Sequence, residues 1–232
     1  MIGIIAAMPI EAEELIAHIE QPAAKTISGR TFTGGKIHGK DVVVCLCGIG
    51  KVNAAVCTEA LILNYAPDIV INTGVGGALD KTLRLTDVVC ASYAVQHDMD
   101  TSALGDPVGF VSTVNRLEFP LDEDINAGLV QAMTDLGIRA IRAPIATGDR
   151  FIYKPEDKQY IRDTFGCAVC EMEGCAIAQA CLLNGTPCAI LRSISDGVDD
   201  SDSSGARMTY SEFAEMAAHR SAKVLLRFIE NY

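Results

Sequence analysis

The chain has 232 residues, a formal net charge of −11 and an apolar fraction of 49%. That apolar share excludes a disordered chain, and the acidic balance argues against nucleic acid, whose phosphates call for a basic patch. No apolar run reaches the roughly eighteen residues of a membrane span, so no membrane partner is expected.

The length suits a single domain over residues 1–232, with one large core. The first residues, Met-Ile-Gly-Ile-Ile-Ala-Ala-Met-Pro, lack a basic segment before their apolar run and read as a core strand rather than a leader. A cytoplasmic protein is the expectation. The nine cysteines are scattered through apolar segments and read as reduced core residues. Cys167 and Cys170 have CxxC spacing, but Ala168 and Val169 continue a buried strand and no second ligand pair is near.

In chain order, Ile2 to Ala6 is a continuous apolar strand, and Pro9 suits the first turn of a helix reaching Ile19. Thr31 to Ile37 and Asp41 to Cys47 are β-rich segments joined at His38-Gly39-Lys40, the pattern of a hairpin. Gly48-Ile49-Gly50 opens a helix from Lys51 to about Asn64, with Val52, Val56, Ala60 and Leu63 on one face. Asp68 to Thr73 is a buried strand that ends in Gly74-Val75-Gly76-Gly77, and Val88 to Ala94 is the next strand. From His97 to about Asp124 the chain is irregular, which in a compact domain points to a functional loop or an interface. Asn126 to Leu136 is helical, Arg142 to Ala146 a strand, Pro155 to Phe165 a charged surface helix and Ala168 to Glu171 a short strand. Glu173 to Leu183 is apolar nearly all round and hence buried; Pro187 to Ser195 is a central strand, and Tyr210 to Glu230 an amphipathic closing helix. This alternation predicts an α/β fold, a three-layer αβα sandwich around a central twisted mixed sheet, with ligands outside the carboxyl ends of the strands.

Acids fall at three such strand ends. Glu11 follows the first strand, Glu171-Met172-Glu173 brackets a methionine, and Arg192-Ser193-Ile194-Ser195-Asp196 leaves an apolar strand. Desolvated carboxylates are costly unless something uses them. Glu11, Glu173 and Asp196 suit acid and base work on a glycosidic bond, where one carboxyl protonates the leaving group and a carboxylate activates water. The residue types alone leave open a structural ion pair between Glu173 and Arg192.

The remaining motifs carry less. Gly74-Val75-Gly76-Gly77 lacks the spacing of a dinucleotide or phosphate loop and reads as a place where backbone approaches a ligand or a neighbouring strand. His97-Asp98-Met99-Asp100 has ligand-type side chains, but the other histidines lack metal spacing and a hydrogen-bonded loop is expected. Asp199-Asp200-Ser201-Asp202 is a solvated acidic loop, or a lid by its position after Asp196. Neither Ser193 nor Ser195 has the setting of a serine nucleophile.

As a set, Ile4-Ile5-Ala6-Ala7-Met8, Gly48-Ile49-Gly50-Lys51-Val52, Asn72-Thr73-Gly74, Gly148-Asp149-Arg150-Phe151-Ile152, Glu171-Met172-Glu173 and Arg192-Ser193-Ile194-Ser195-Asp196 resemble the nucleoside phosphorylase superfamily. Within it the resemblance is strongest to the 5′-methylthioadenosine/S-adenosylhomocysteine nucleosidases. It runs from Ile2 to the last helix and is weakest between Thr101 and Asp124.

The resemblance implies a homodimer acting on a small nucleoside, with no cofactor and no metal. It implies that Asp196 protonates adenine N7, that Glu11 activates water, that Glu173 holds the ribose hydroxyls beside the backbone of Met172, and that Arg192 helps to position the water. Asp196 would then need a raised pKa in the occupied site. Phe151 would stack on the purine and Ile152 read its edge through the backbone. Met8, Ile49 and Tyr210 would wall the 5′-alkylthio pocket, with Gly76 and Ser195 also at the substrate and Leu104 where a partner subunit contributes. Val75 stands where many members carry serine, and residues 197–209 are longer and more acidic than usual; both bear on substrate preference. Open beside this reading stand a phosphorolytic relative, a nucleosidase for aminodeoxyfutalosine, and a nucleoside-binding module without catalysis.

Overall fold

The computed structural model describes residues 1–198 and 206–232, the side chains of 206–212 excepted. Strand β1 (Ile2–Ala6) is buried throughout and feeds helix α1 (Pro9–Ala17), which has proline in its first turn. Strands β3 (Arg30–Ile37) and β4 (Lys40–Leu46) form the expected hairpin, turning through His38 and Gly39 at φ 49° and 74°. An exposed strand that the sequence does not announce, β2 (Glu20–Ile27), pairs with β3 at the sheet edge.

Helix α2 (Lys51–Tyr65) is followed by β5 (Ile69–Ala78), β6 (Val88–Gln96), a short strand β7 (Phe119–Pro120) and α3 (Glu123–Asp135). Then come β8 (Ile141–Thr147), α4 (Pro155–Phe165), β9 (Val169–Glu171), α5 (Gly174–Asn184), β10 (Cys188–Asp196) and α6 (Ala206–Asn231). No helix among the described residues is long and apolar enough to cross a membrane.

The strand order is β10-β6-β8-β9-β5-β1-β4-β3-β2, with β7 beside β6. Because β10 also pairs with β5, half of the sheet closes into a ring of β5, β9, β8, β6 and β10. Strand β5 runs parallel to β1 and β10, while β9 lies antiparallel to it, so the sheet is mixed. Alternate strand residues face opposite ways. Ile5, Val43, Cys45 and Ile190 pack with α2 and α5, whereas Ile4, Val42, Val44 and Leu191 pack with α1, α3 and α6. A third cluster joins Ile161 and Phe165 of α4 to Leu79, Ile152 and Cys170. These layers are the predicted αβα sandwich.

Two expectations need correction, and the apolar face of α2 proves exposed. Strand β5 does not end at Thr73; it continues through the glycines to Ala78. Those glycines admit neighbours within the protein: an added Cβ would stand 2.7 Å from Glu11 Oε1 at Gly74, from Val169 Cγ1 at Gly76, and from Asp196 Oδ2 at Gly77. The Val52, Val56 and Leu63 face of α2 points outward, at 74%, 49% and 71% exposure. Helix α4 is not a purely superficial charged helix, since Lys158 is 1% exposed. The acidic run 199–202 and the side chain of Tyr210 lie outside the described residues.

Gly76→Ala tests the close approach of β5 to β9, because its Cβ meets both Val169 and the Cys170 carbonyl. The expected outcome is a loss of about 1–3 kcal/mol in denaturant unfolding, the usual cost of overpacking a tight core; a stability equal to that of the parent would show that the strands move apart freely.

Candidate active site

An open cavity of about 610 Å³ lies at the carboxyl ends of β1, β5, β9 and β10. Glu11, Glu173 and Asp196 reach it from three different segments, together with Met8, Ile49, Val75, Gly76, Phe151, Ile152, Met172 and Ser195. Gly77 of the glycine run, with Ala7, Arg150, Cys170 and Glu171, which were not expected at the substrate, complete the wall.

Glu11 sits in the first turn of α1, where a carboxylate finds unpaired backbone donors. Its Oε2 accepts from the Ala7 and Met8 amides, each at 2.9 Å, and Oε1 accepts from Val75 N at 3.0 Å. Burial pushes its pKa up, against the charge of Arg192 and these amide donors. The result is a fixed carboxyl whose affinity for a proton is increased.

Glu173 stands at the start of α5, and its Oε1 accepts from Gly50 N at 2.8 Å. Gly50 takes φ 98°, a conformation that favours glycine, and its amide can therefore aim across the cavity rim. Burial and the charge of Glu171 push Glu173 up to about 7, with Arg192 acting in the opposite direction.

The bracket's first acid, Glu171, is fully engaged. It accepts from Thr147 Oγ1, from Arg192 Nη2, from Glu173 N at 3.0 Å and from Gly174 N at 2.7 Å. Arg192 also donates to Asn72 Oδ1 and lies 4.0 Å from Glu173. At 1% exposure, Arg192 lies outside the cavity wall and pairs primarily with Glu171 rather than Glu173. Leu104 stands apart from the cavity, 84% exposed.

Asp196 ends β10, with Oδ1 accepting from Ser195 Oγ at 3.0 Å and Oδ2 from Lys158 Nζ at 2.7 Å. The sequence does contain a sign of Lys158. It precedes Ile161 and Phe165 by three and seven residues, in register with the buried stripe of α4. Asp98, from the histidine-bearing motif, is absorbed by structure: it pairs with Lys51 Nζ at 2.6 Å and accepts from Asp149 N at 2.8 Å. Cys170 at the wall is pushed up to about 12 by burial and stays a neutral thiol.

The raised Glu173 carries a stability signature. Its favourable contribution is complete below its ordinary value of 4.5 and is lost as pH rises through about 7. Glu173→Gln, which keeps an acceptor for Gly50, is expected to exceed the parent in urea stability by roughly 2 kcal/mol at pH 8 and to match it near pH 4. Equal differences at both pH values would contradict the burial argument.

Comparison with known proteins shows what the whole chain is similar to. A family model described as the phosphorylase superfamily matches residues 1–230. A 5′-methylthioadenosine/S-adenosylhomocysteine nucleosidase of Shewanella halifaxensis is 37% identical over 99% of this chain and 98% of its own length. The Neisseria meningitidis nucleosidase of that name, solved with methylthio-immucillin-A, superposes with a TM-score of 0.94 at 35% identity, covering 100% of this chain and 99% of the other. A futalosine hydrolase of Helicobacter pylori gives a TM-score of 0.93 at 32% identity, covering 100% and 97%. The chain belongs to the phosphorylase superfamily.

Proposed function

We propose that this protein hydrolyses the N-glycosidic bond of 5′-methylthioadenosine and S-adenosylhomocysteine, releasing adenine and the 5′-thioribose. The observation that carries this reading is the convergence of Glu11, Glu173 and Asp196 on one cavity at full-length similarity to nucleosidases. In the proposed assignment Asp196 gives a proton to adenine N7, Glu11 takes one from the attacking water, and Glu173 binds the ribose hydroxyls.

Physical reasoning supports these roles. Glycosidic cleavage passes through an oxocarbenium-like state, which nearby carboxylates stabilise. The elevated proton affinity of Glu11 suits a base that must accept a proton near neutral pH. Arg192 acts from beneath, as the positive charge that opposes the rise of both glutamates. Phe151, 54% exposed, supplies a face for the purine, while Met8 and Ile49 supply apolar wall for the 5′ substituent.

Hydrolysis is favoured over phosphorolysis because, among the described residues, four carboxyls border the cavity and its one arginine, Arg150, is paired with Asp157 at 2.8 Å. A phosphate dianion among these carboxylates would be repelled. The similarity to futalosine hydrolase favours one second reading: the same hydrolysis on aminodeoxyfutalosine. A cytoplasmic setting is supported by the nine buried free cysteines.

Chromatography of the products of all three nucleosides, with and without phosphate, tests the reaction. Free adenine without phosphate is expected, and ribose-1-phosphate formation would overturn the hydrolytic reading. Asp196→Asn is expected to slow adenine release by about 10²–10⁴-fold with the fold retained. Glu11→Gln should lose activity yet still bind a product analogue; a parental rate in either variant removes that residue's role.

The proposal includes a homodimer. Its support is the outward apolar face of α2, extended by Leu183 of the neighbouring α5 at 67% exposure, with Leu104 as a residue lent to the other subunit. Val56→Asp is expected to halve the mass measured by light scattering; a parental mass would place the contact elsewhere.

A further inference from the structure

The function proposed above leaves Lys158 without a task. This lysine is 1% exposed, on the same stripe of α4 as Ile161 and Phe165, whose cluster also holds Leu79, Ile152 and Cys170. Its Nζ donates to Asp196 Oδ2 at 2.7 Å and to the Gly197 carbonyl. Burying an ammonium carries a large desolvation penalty even when it is paired. Holding Asp196 in place does not require one, because the neutral hydroxyl of Ser195 already binds Oδ1.

An ammonium facing a carboxylate stores the proton that the leaving purine needs. We propose that Lys158 is the proton source for Asp196, so that the general acid of this enzyme is the Lys158–Asp196 pair. The inference rests on the assignment of Asp196 as the acid.

The step balances as follows. At rest the pair is ammonium and carboxylate. As the bond from C1′ to N9 breaks, its electrons pass to the purine, Lys158 Nζ passes a proton to the Asp196 carboxylate, and Asp196 hands a proton on to N7. Adenine leaves neutral, Asp196 remains a carboxylate, and Lys158 becomes a neutral amine. Water gives hydroxide to C1′ and its proton to Glu11. After product release that proton returns through solvent to Lys158, and no oxidant or other co-reactant is needed.

Among the described residues the surroundings leave this exchange to the pair. From β9 the Cys170 thiol faces it, pushed up to about 12 first by burial and then by Asp196, while Glu171 beside it is held by Arg192. On α4, Asp157 is bound by Arg150 at 2.8 Å and Arg162 by Asp163 at 3.0 Å. Strand β5 presents Gly76 and Gly77, which carry no charge.

The test is the pH dependence of adenine release by the whole protein and its Lys158→Met and Lys158→Arg variants. Methionine fills the apolar channel without a proton, while arginine keeps the charge but holds its proton. In Lys158→Met, Asp196 must take its proton directly from solvent, whose supply falls as pH rises. Its rate is expected to fall at least about 100-fold below the parent at pH 8 and to lie within about tenfold at pH 5. Lys158→Arg is expected to stay depressed at pH 8. A Met variant whose profile parallels the parent's, or an Arg variant with the parental rate at pH 8, would overturn the inference, since positioning by charge would then suffice.

If methionine fails to pack, Lys158→Ala with added methylammonium replaces it. A rate at pH 8 that rises with amine concentration supports the proton source, and a flat response overturns it. Asp196→Asn separates the two levels: an active Asn variant removes both readings, whereas an inactive one beside an unshifted Lys158→Met profile removes this inference alone.

Discussion

The buried pair between Glu171 and Arg192 is the constraint on which the site depends. Both side chains are 1% exposed, at the centre of the closed part of the sheet. Through Thr147, Asn72 and the amides of Glu173 and Gly174, the pair joins β8, β5 and the start of α5 to β9 and β10. Asn72 continues the chain of bonds to the Ile5 carbonyl on β1. Each strand that delivers an acid to the cavity is thus fixed to the same two charges. Removing one partner of such a pair typically costs about 3–5 kcal/mol, because the other charge is left buried alone.

The same guanidinium sets the electrostatics above it. Glu11 and Glu173 are both raised by burial, and Arg192 is the charge that pulls each of them back. Burial acting alone would also lower Arg192 itself, but Glu171, Glu173 and Glu11 hold its charge in place. A cavity with several carboxyls therefore stays assembled, its two glutamates raised by burial and drawn back by one shared arginine.

Much of this was legible in the sequence, because apolar runs and turn residues mark strands locally. The acids stood out at strand ends for the same reason. What remained hidden depends on partners distant in the chain. The glycines after Thr73 looked like a strand terminus, since a missing side chain gives no hint that Glu11, Val169 and Asp196 occupy its space. The apolar stripe of α2 was visible by period, but period does not say which surface covers it, and in the single chain Val52 and Leu63 face outward. Strand β2 is exposed along nearly its whole length and so lacks the alternation that burial imposes. Lys158 was masked by its charge: a lysine within an otherwise polar helix reads as solvated until its spacing from Ile161 and Phe165 is weighed.

Among the described residues a buried arginine and a buried lysine each meet a carboxylate of the sheet, Arg192 from β10 and Lys158 from α4, and the identities of the cations separate their uses. Arginine keeps its proton under all ordinary conditions and offers a planar fork, so Arg192 can bind Glu171 and Asn72 together as a permanent joint. Lysine is a compact charge that, unlike a guanidinium, can give up its proton. Lys158 is placed where that property matters, at Asp196 on the cavity wall, and not among the strands that need a fixed charge. Exchanging the two cations would preserve the formal charge at both places. It would put a group able to discharge at the structural joint, and one unable to discharge beside the acid.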